Sequence, residues 1–270
     1  KDLSNFSKLT DRMQQGFVNF MMIQRALVHP SGFAVEPAFQ MDSNVAVPIT
    51  PGSAIDTSQG AATRGFYQGH SQGGIMGGAY MALAPDVDRG VLGVPGINYS
   101  TLLTRSVDFD EYAHGVLGDN YIPGVGLYDN YPNKAELPLI LSIMQILWDR
   151  GEGNGYAQTL NPANSPLPNT NPHTVLLAVA TGDHQVANIT AEVEARTIGA
   201  KVYSPMLQPS RMWPGQGFGI PTFTAPLTSG NAMVYYDGGP TGWTGPAVGY
   251  RDPGSAPAPV ENVPPRPQWN

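Results

Sequence analysis

The chain contains no cysteine, so disulfides, thiolate nucleophiles and cysteine-ligated zinc or iron–sulfur centres are all excluded. Charge is scarce as well: Asp, Glu, Lys and Arg make up 13% of the 270 residues, against ~25% in an average globular protein. That scarcity excludes a coiled coil and a charge-driven disordered chain. Basic residues are the minority, 14 Lys and Arg against 21 Asp and Glu, which leaves no surface of the kind phosphate backbones require, and nucleic acid is not expected as a partner. Long apolar runs are also missing. The longest, over residues 137–147 and 174–180, fall short of the roughly 20 residues that cross a bilayer, so no membrane span is expected. The N-terminus carries no signal-peptide apolar region.

Glycine and proline are abundant instead: 32 Gly and 26 Pro together exceed a fifth of the chain. With 41% hydrophobic residues the chain can bury a core. Few charges beside many Gly, Pro and Asn residues resemble a secreted or cell-envelope bacterial protein. Apolar spacing through Phe6, Leu9, Met13, Phe17, Phe20 and Leu27 predicts an amphipathic helix over residues 5–27, with Ser4 or Asn5 as its cap and Pro30 beyond its end. Residues 31–63 read as loop, with one alternating piece at 45–49. A short buried strand is expected at 65–69, then a helix of small residues at 72–84, a strand at 91–94, and a polar stretch through Asn133.

A strongly apolar helix is expected at 135–149, with apolar residues around much of its circumference, which suggests burial on more than one side or a lid over an apolar cavity. The run 174–180 is a buried strand of a parallel sheet, followed by a helix at 186–198, a strand at 201–203 and a strand at 232–236. No repeat is present. This strand–helix alternation predicts an α/β fold, a mostly parallel sheet in a single domain spanning 1–270, interrupted by a helical and irregular cap insertion at about 100–172. The Pro- and Gly-rich segment 208–270 ends in a stretch, from Pro253 on, expected to be extended or disordered.

Gly69-His70-Ser71-Gln72-Gly73 carries the chemistry. The pattern Gly-x-Ser-x-Gly arises by chance in a Gly-rich chain, but here it lies after a short strand and before a small-residue helix, the setting in which it projects a serine above a sheet. Ser71 is therefore the expected nucleophile. Gly69 and Gly73 are expected where a Cβ would collide, with Gly74, Gly77 and Gly78 extending the close packing. The Gln72 backbone N–H, in the first turn of the helix, points where an oxyanion would form.

With this motif the chain resembles the α/β-hydrolases, Gly69-His70-Ser71-Gln72-Gly73-Gly74 standing as the nucleophile elbow. The resemblance implies an acid in the loop after a later strand, and the run from Leu176 to Val186 places Asp183 there; the alternative for Asp183 is a helix cap. Asp237, after the strand at 232–236, is the alternative acid. The resemblance covers about residues 64–203. It implies hydrolysis of a carboxylic ester through an acyl-enzyme on Ser71, with Asp183 orienting a histidine and Gln72 supplying half of an oxyanion hole, on a small-molecule or polymeric ester substrate and with no cofactor and no metal.

Two features depart from the family. In the family the histidine follows the acid, whereas the five here are His29, His70, His114, His173 and His184. His184 adjoins Asp183, where a relay of direct hydrogen bonds to serine is hard to build. The first strands of the family, with the loop that donates the second oxyanion N–H, also have no counterpart before Ser71. Both absences lie at the chain ends, so these residues are expected to be the central part of a larger hydrolase, completed by a flanking segment or a companion chain. Two alternatives stay open: a peptidase of the same fold, and a non-catalytic hydrolase-fold binding protein. The metal-dependent reading has no His-Glu-x-x-His spacing behind it, and Asp86, Asp88, Asp108, Asp110 and Glu111 read as solvated loop carboxylates rather than a calcium loop.

Overall fold

The structure is a computed structural model that describes residues 3–41, 52–117, 120–133, 135–207, 209, 212, 215–224 and 226–237. Its centre is a six-stranded, parallel sheet. The strands are β1 (Gly65–His70), β2 (Val87–Gly93), β3 (Thr174–Ala180), β4 (Lys201–Tyr203), β5 (Thr222–Phe223) and β6 (Ala232–Tyr236), in the spatial order β1-β2-β3-β6-β4-β5. Helices α1 (Ser7–Val28), α2 (Gln72–Leu83), α3 (Tyr99–Leu103), α4 (Leu137–Trp148) and α5 (Asn188–Thr197) accompany it. The chain is thus an α/β protein.

Most strands form where the pattern predicts because each run is short, apolar and punctuated by Gly or Pro, but β2, expected at 91–94, runs from Val87 to Gly93 and leaves Val94 outside it. β3 matches 174–180 residue for residue, and its inner positions Val175, Leu177 and Val179 are buried, with Leu176 facing Ala232 and Val91 on its two neighbours. β1 differs from the expected buried strand. It lies at the sheet edge, and along it burial alternates, so that Tyr67 and Gly69 are covered while Phe66 on the other face is 77% exposed. β5, two residues long, gave no periodic signal and extends the sheet at the opposite edge.

The main core joins Met81, Leu92, Leu177, Ile198 and Met233 between the sheet and its helices. A second apolar cluster lies in the insertion between β2 and β3, where Leu102, Phe109, Leu137, Leu141 and Trp148 gather around Ile75 of α2. The polar stretch within the insertion contains α3, capped by Asn98 Oδ1, which accepts the Thr101 N–H at 2.9 Å.

Three helices depart from their expected faces. α1 begins at Ser7 after Phe6, without a side-chain cap, and of its expected stripe Leu9 and Phe20 face solvent while Phe17 is buried. α4 is buried on one side only, through Leu137, Leu141, Met144, Gln145 and Trp148; Leu139, Ile143 and Ile146 are exposed, so it is not enclosed on several sides. α5 buries Thr190, Glu192 and Glu194 as well as Ala191 and Ala195, because it is packed around more of its circumference than its apolar stripe suggests. The alternating piece at 45–49 and the tail from Pro253 lie outside the described residues. No helix among the described residues is long and apolar enough to cross a membrane.

Close packing of α2 on β2 makes Gly74 and Gly16 opposite tests of backbone space. A Cβ at Gly74 would overlap the Gly93 carbonyl oxygen, whereas one at Gly16 in α1 meets nothing within 4 Å. Gly74→Ala is expected to lower unfolding free energy by about 1–3 kcal/mol, and Gly16→Ala to raise it by about 0.5–1 kcal/mol. Denaturant titration of both variants checks the pair, and equal effects would contradict the packing described.

Candidate active site

Ser71 stands between the last residue of β1 and the first of α2, at φ 56° and ψ −120°. That conformation is unfavourable for a residue with a Cβ, and persists only where neighbours over-determine it. The neighbours here are backbone groups. The Ser71 N–H donates to the Gly93 carbonyl at 3.0 Å, and the Ser71 carbonyl accepts from the N–H groups of Gly74 at 2.7 Å and Ile75 at 3.0 Å. Val94, the residue after β2, also has positive φ, 43°, and its N–H donates to Ala178 on β3 at 2.7 Å. Two strained residues thus lie side by side at the C-terminal edge of the sheet.

The glycines around Ser71 differ in what they do. A Cβ at Gly69 would run into the Gly73 carbonyl and the Tyr67 hydroxyl, and one at Gly77 would run into Leu92 and Tyr67. Gly73 does not carry the steric role expected of it, because a Cβ there meets only the Tyr67 hydroxyl oxygen, at 3.7 Å. Gly74 is the crowded position instead. Tyr67 adds a tie of its own, its hydroxyl donating to the Gly73 carbonyl at 2.7 Å. The Ser71 side is exposed, and the Gln72 backbone N–H belongs to the first turn of α2, whose N–H groups have no partner within the helix. The Gln72 side chain reaches α3, its Nε2 donating to the Tyr99 hydroxyl at 2.6 Å.

Asp183 lies three residues beyond β3, past Gly182 at φ 74°. It does not cap α5, which starts at Asn188 after Ala187. Its Oδ1 accepts the N–H groups of Gln185 and Val186, each at 2.8 Å, and Oδ2 takes no part in that turn. Burial pushes its pKa up, against the two N–H donors and His184, which lower it; Asp108 adds to the rise. Ser71 and Asp183 share the same edge of the sheet, on strands two spacings apart, about 10 Å. Asp237, the alternative acid, follows β6 and lines a cavity of about 550 Å³ with Met206, Leu207, Met212 and Tyr235. That cavity lies beside β6, three strands from β1 and Ser71, and no residue of α4 lines it.

The histidines are scattered. His173 precedes β3 at the opposite edge of the sheet and is buried, its Nε2 3.1 Å from the Ala84 carbonyl. His29 ends α1, where its Nδ1 accepts the Ser31 N–H at 3.1 Å, and His114 packs edge-on against Tyr128 in the insertion. His70 lies over Gly93. His184 shares the Asp183 loop, its Nε2 buried without a hydrogen-bond partner among the described residues. None of the five bonds to Ser71 or Asp183 among the described residues. Asp86 pairs with Arg25 at 2.6 Å and Asp88 with Arg64 at 3.6 Å, while Asp108 accepts from Gln185, so these acids are not gathered in one place. No group of three metal-ligating side chains occurs among the described residues.

Beneath the elbow helix lie groups that sequence periodicity did not reveal. Glu194 of α5 is fully buried against Gly78 of α2, with neither carboxyl oxygen hydrogen-bonded among the described residues, and burial followed by the nearby Glu152 raises its pKa to about 8. Burial likewise raises Glu152, to about 7, although it accepts from the Asn154 N–H at 3.0 Å, from Gln145 Nε2 at 2.5 Å and from the Tyr99 N–H at 3.3 Å. A folded-state pKa above the unfolded value means that the folded form holds the proton more tightly. The contribution of Glu194 to stability is thus complete below its ordinary value of 4.5 and is lost as pH rises through about 8. Unfolding free energy is expected to fall by a few kcal/mol across that window, and Glu194→Gln to flatten the decline. An unchanged slope in the variant, measured by denaturant titration at several pH values, would assign the decline elsewhere.

Comparison with known proteins finds no matching family model, no matching curated protein and no matching solved structure.

Proposed function

We propose that the chain carries the nucleophile and acid of a serine hydrolase that cleaves carboxylic esters. The observation that supports this most directly is Ser71 itself, held at φ 56° and ψ −120° at the C-terminal end of a parallel strand by the close approach of α2. Its Oγ would attack the acyl carbon while its proton passes to a base. The Gln72 N–H would receive the oxyanion, the alcohol would leave with that proton, and water would release the acid by the same steps.

Asp183 would orient the base through Oδ2. β6 ends beside β3, with the Thr181 N–H donating to the Tyr236 carbonyl at 2.9 Å, so the polypeptide leaves the sheet at Asp237 next to the Asp183 loop. A histidine brought to that edge by a flanking segment or companion chain would complete the relay. The exposed apolar face of α4 and the apolar cluster beneath it suit an apolar acyl or polyester substrate.

The dispersal of the histidines favours one alternative, a binding protein of the same fold, since serine without a base is a weak nucleophile. A fluorophosphonate probe followed by intact-mass and peptide mapping separates the two. With that histidine in place, a single adduct on Ser71 is expected, absent in Ser71→Ala, with ester hydrolysis falling at least about 10³-fold in that variant. No adduct on the chain would favour the binding protein. Matched ester and amide substrates distinguish the esterase from a peptidase using the same residues.

A further inference from the structure

The residue after the proposed nucleophile is tied to a helix of the insertion. Gln72 is exposed and has a long, flexible side chain, yet its amide meets the hydroxyl of Tyr99, a residue 7% exposed, at 2.6 Å. The contact survives either orientation of the amide, because a phenol both donates and accepts. Burial holds the Tyr99 pKa far above its ordinary value, reinforced by Glu152 and opposed by the Gln72 contact, so the hydroxyl stays neutral. Tyr99 is fixed in turn by several independent contacts. Its N–H donates to Glu152, its ring lies 5.6 Å from that of Trp148, and the next residue, Ser100, donates its N–H to Gln145 Oε1 at 2.9 Å. Both Gln145 and Trp148 belong to α4. A continuous chain of contacts therefore runs from α4 through α3 to Gln72 and Ser71.

We propose that Tyr99 is a positioning residue for the oxyanion donor, holding Gln72 so that its backbone N–H stays aimed beside Ser71 while its side-chain amide is kept out of the space the acyl oxygen must enter. The proposal rests on the reading of Ser71 as a nucleophile. Released from Tyr99, the Gln72 amide is free to turn over the elbow, where its carbonyl would repel a developing negative charge and its motion would loosen the first turn of α2. The insertion acts through this contact: α4 sets the position of α3, and α3 sets that of Gln72.

The test is the rate of fluorophosphonate labelling at Ser71 as a function of probe concentration, in the unmodified chain, Tyr99→Phe, Gln72→Ala and the double variant, with melting temperatures alongside. Each single variant is expected to lower the maximal labelling rate roughly ten- to a hundredfold with probe affinity unchanged, and the double variant to be no slower than the slower single one. Melting temperatures are expected to stay within a few degrees. Labelling of Tyr99→Phe at the original rate overturns the proposal while leaving the nucleophile in place. So do losses that multiply in the double variant, or a slowing that tracks a loss of melting temperature, since either assigns Tyr99 a packing role alone. Failure of the unmodified chain to label at Ser71 overturns the nucleophile and, with it, this proposal.

Discussion

The close approach of α2 to the first two strands is the constraint from which the rest of the site follows. Gly74 lies against the Gly93 carbonyl and Gly77 against Leu92 and Tyr67, so the helix enters directly over the sheet instead of standing off at the distance side chains impose. The chain then has only one residue in which to turn from strand to helix. Ser71 is that residue, and its positive φ follows from lack of room for a longer loop. The strain is offset by backbone hydrogen bonds on both sides, to Gly93 and from Gly74 and Ile75, which a relaxed conformation would lose. A serine in such a turn projects outward and has the first N–H groups of a helix beside it.

The same closeness explains the polar groups beneath α2. Gly78 on the helix leaves room that Glu194 from α5 reaches, while Glu152 collects N–H groups from Tyr99 and Asn154. A fully buried carboxyl with no hydrogen-bond partner among the described residues is retained at a cost to stability, and the protonated form lowers that cost. Glu152 shows the contrasting solution. Its hydrogen bonds all lie within the insertion, so one buried carboxyl holds α3, α4 and the 152–155 turn together.

Much of this was legible in the sequence. β3 and the junction of β1 with α2 could be read because an apolar run bounded by Gly or Pro specifies a strand locally, and Gly-His-Ser-Gln-Gly-Gly after such a run specifies a turn too tight for other residues. The loop after β3 that carries Asp183 was legible in the same way, whereas an acid role for Asp183 was implied by the resemblance alone. The faces of α1, α4 and α5 were less legible. Leu9, Phe20, Leu139 and Ile143 satisfy a helical apolar stripe and yet face solvent, because periodicity locates an apolar side without saying which neighbour covers it.

The sequence by itself determined the α/β class, the order of the longer strands and helices though not α3 or β5, the placing of Ser71 in a strand-to-helix turn, and the absence of cysteine chemistry, since each depends on composition or on residues adjacent in the chain. Only the tertiary structure decided that β1 is an edge strand, that Gly74 rather than Gly73 is the crowded glycine, that Glu194 is buried without a partner, and that Tyr99 grips Gln72. These are contacts between residues far apart in sequence, and a local pattern carries no information about which distant side chain will arrive to complete it.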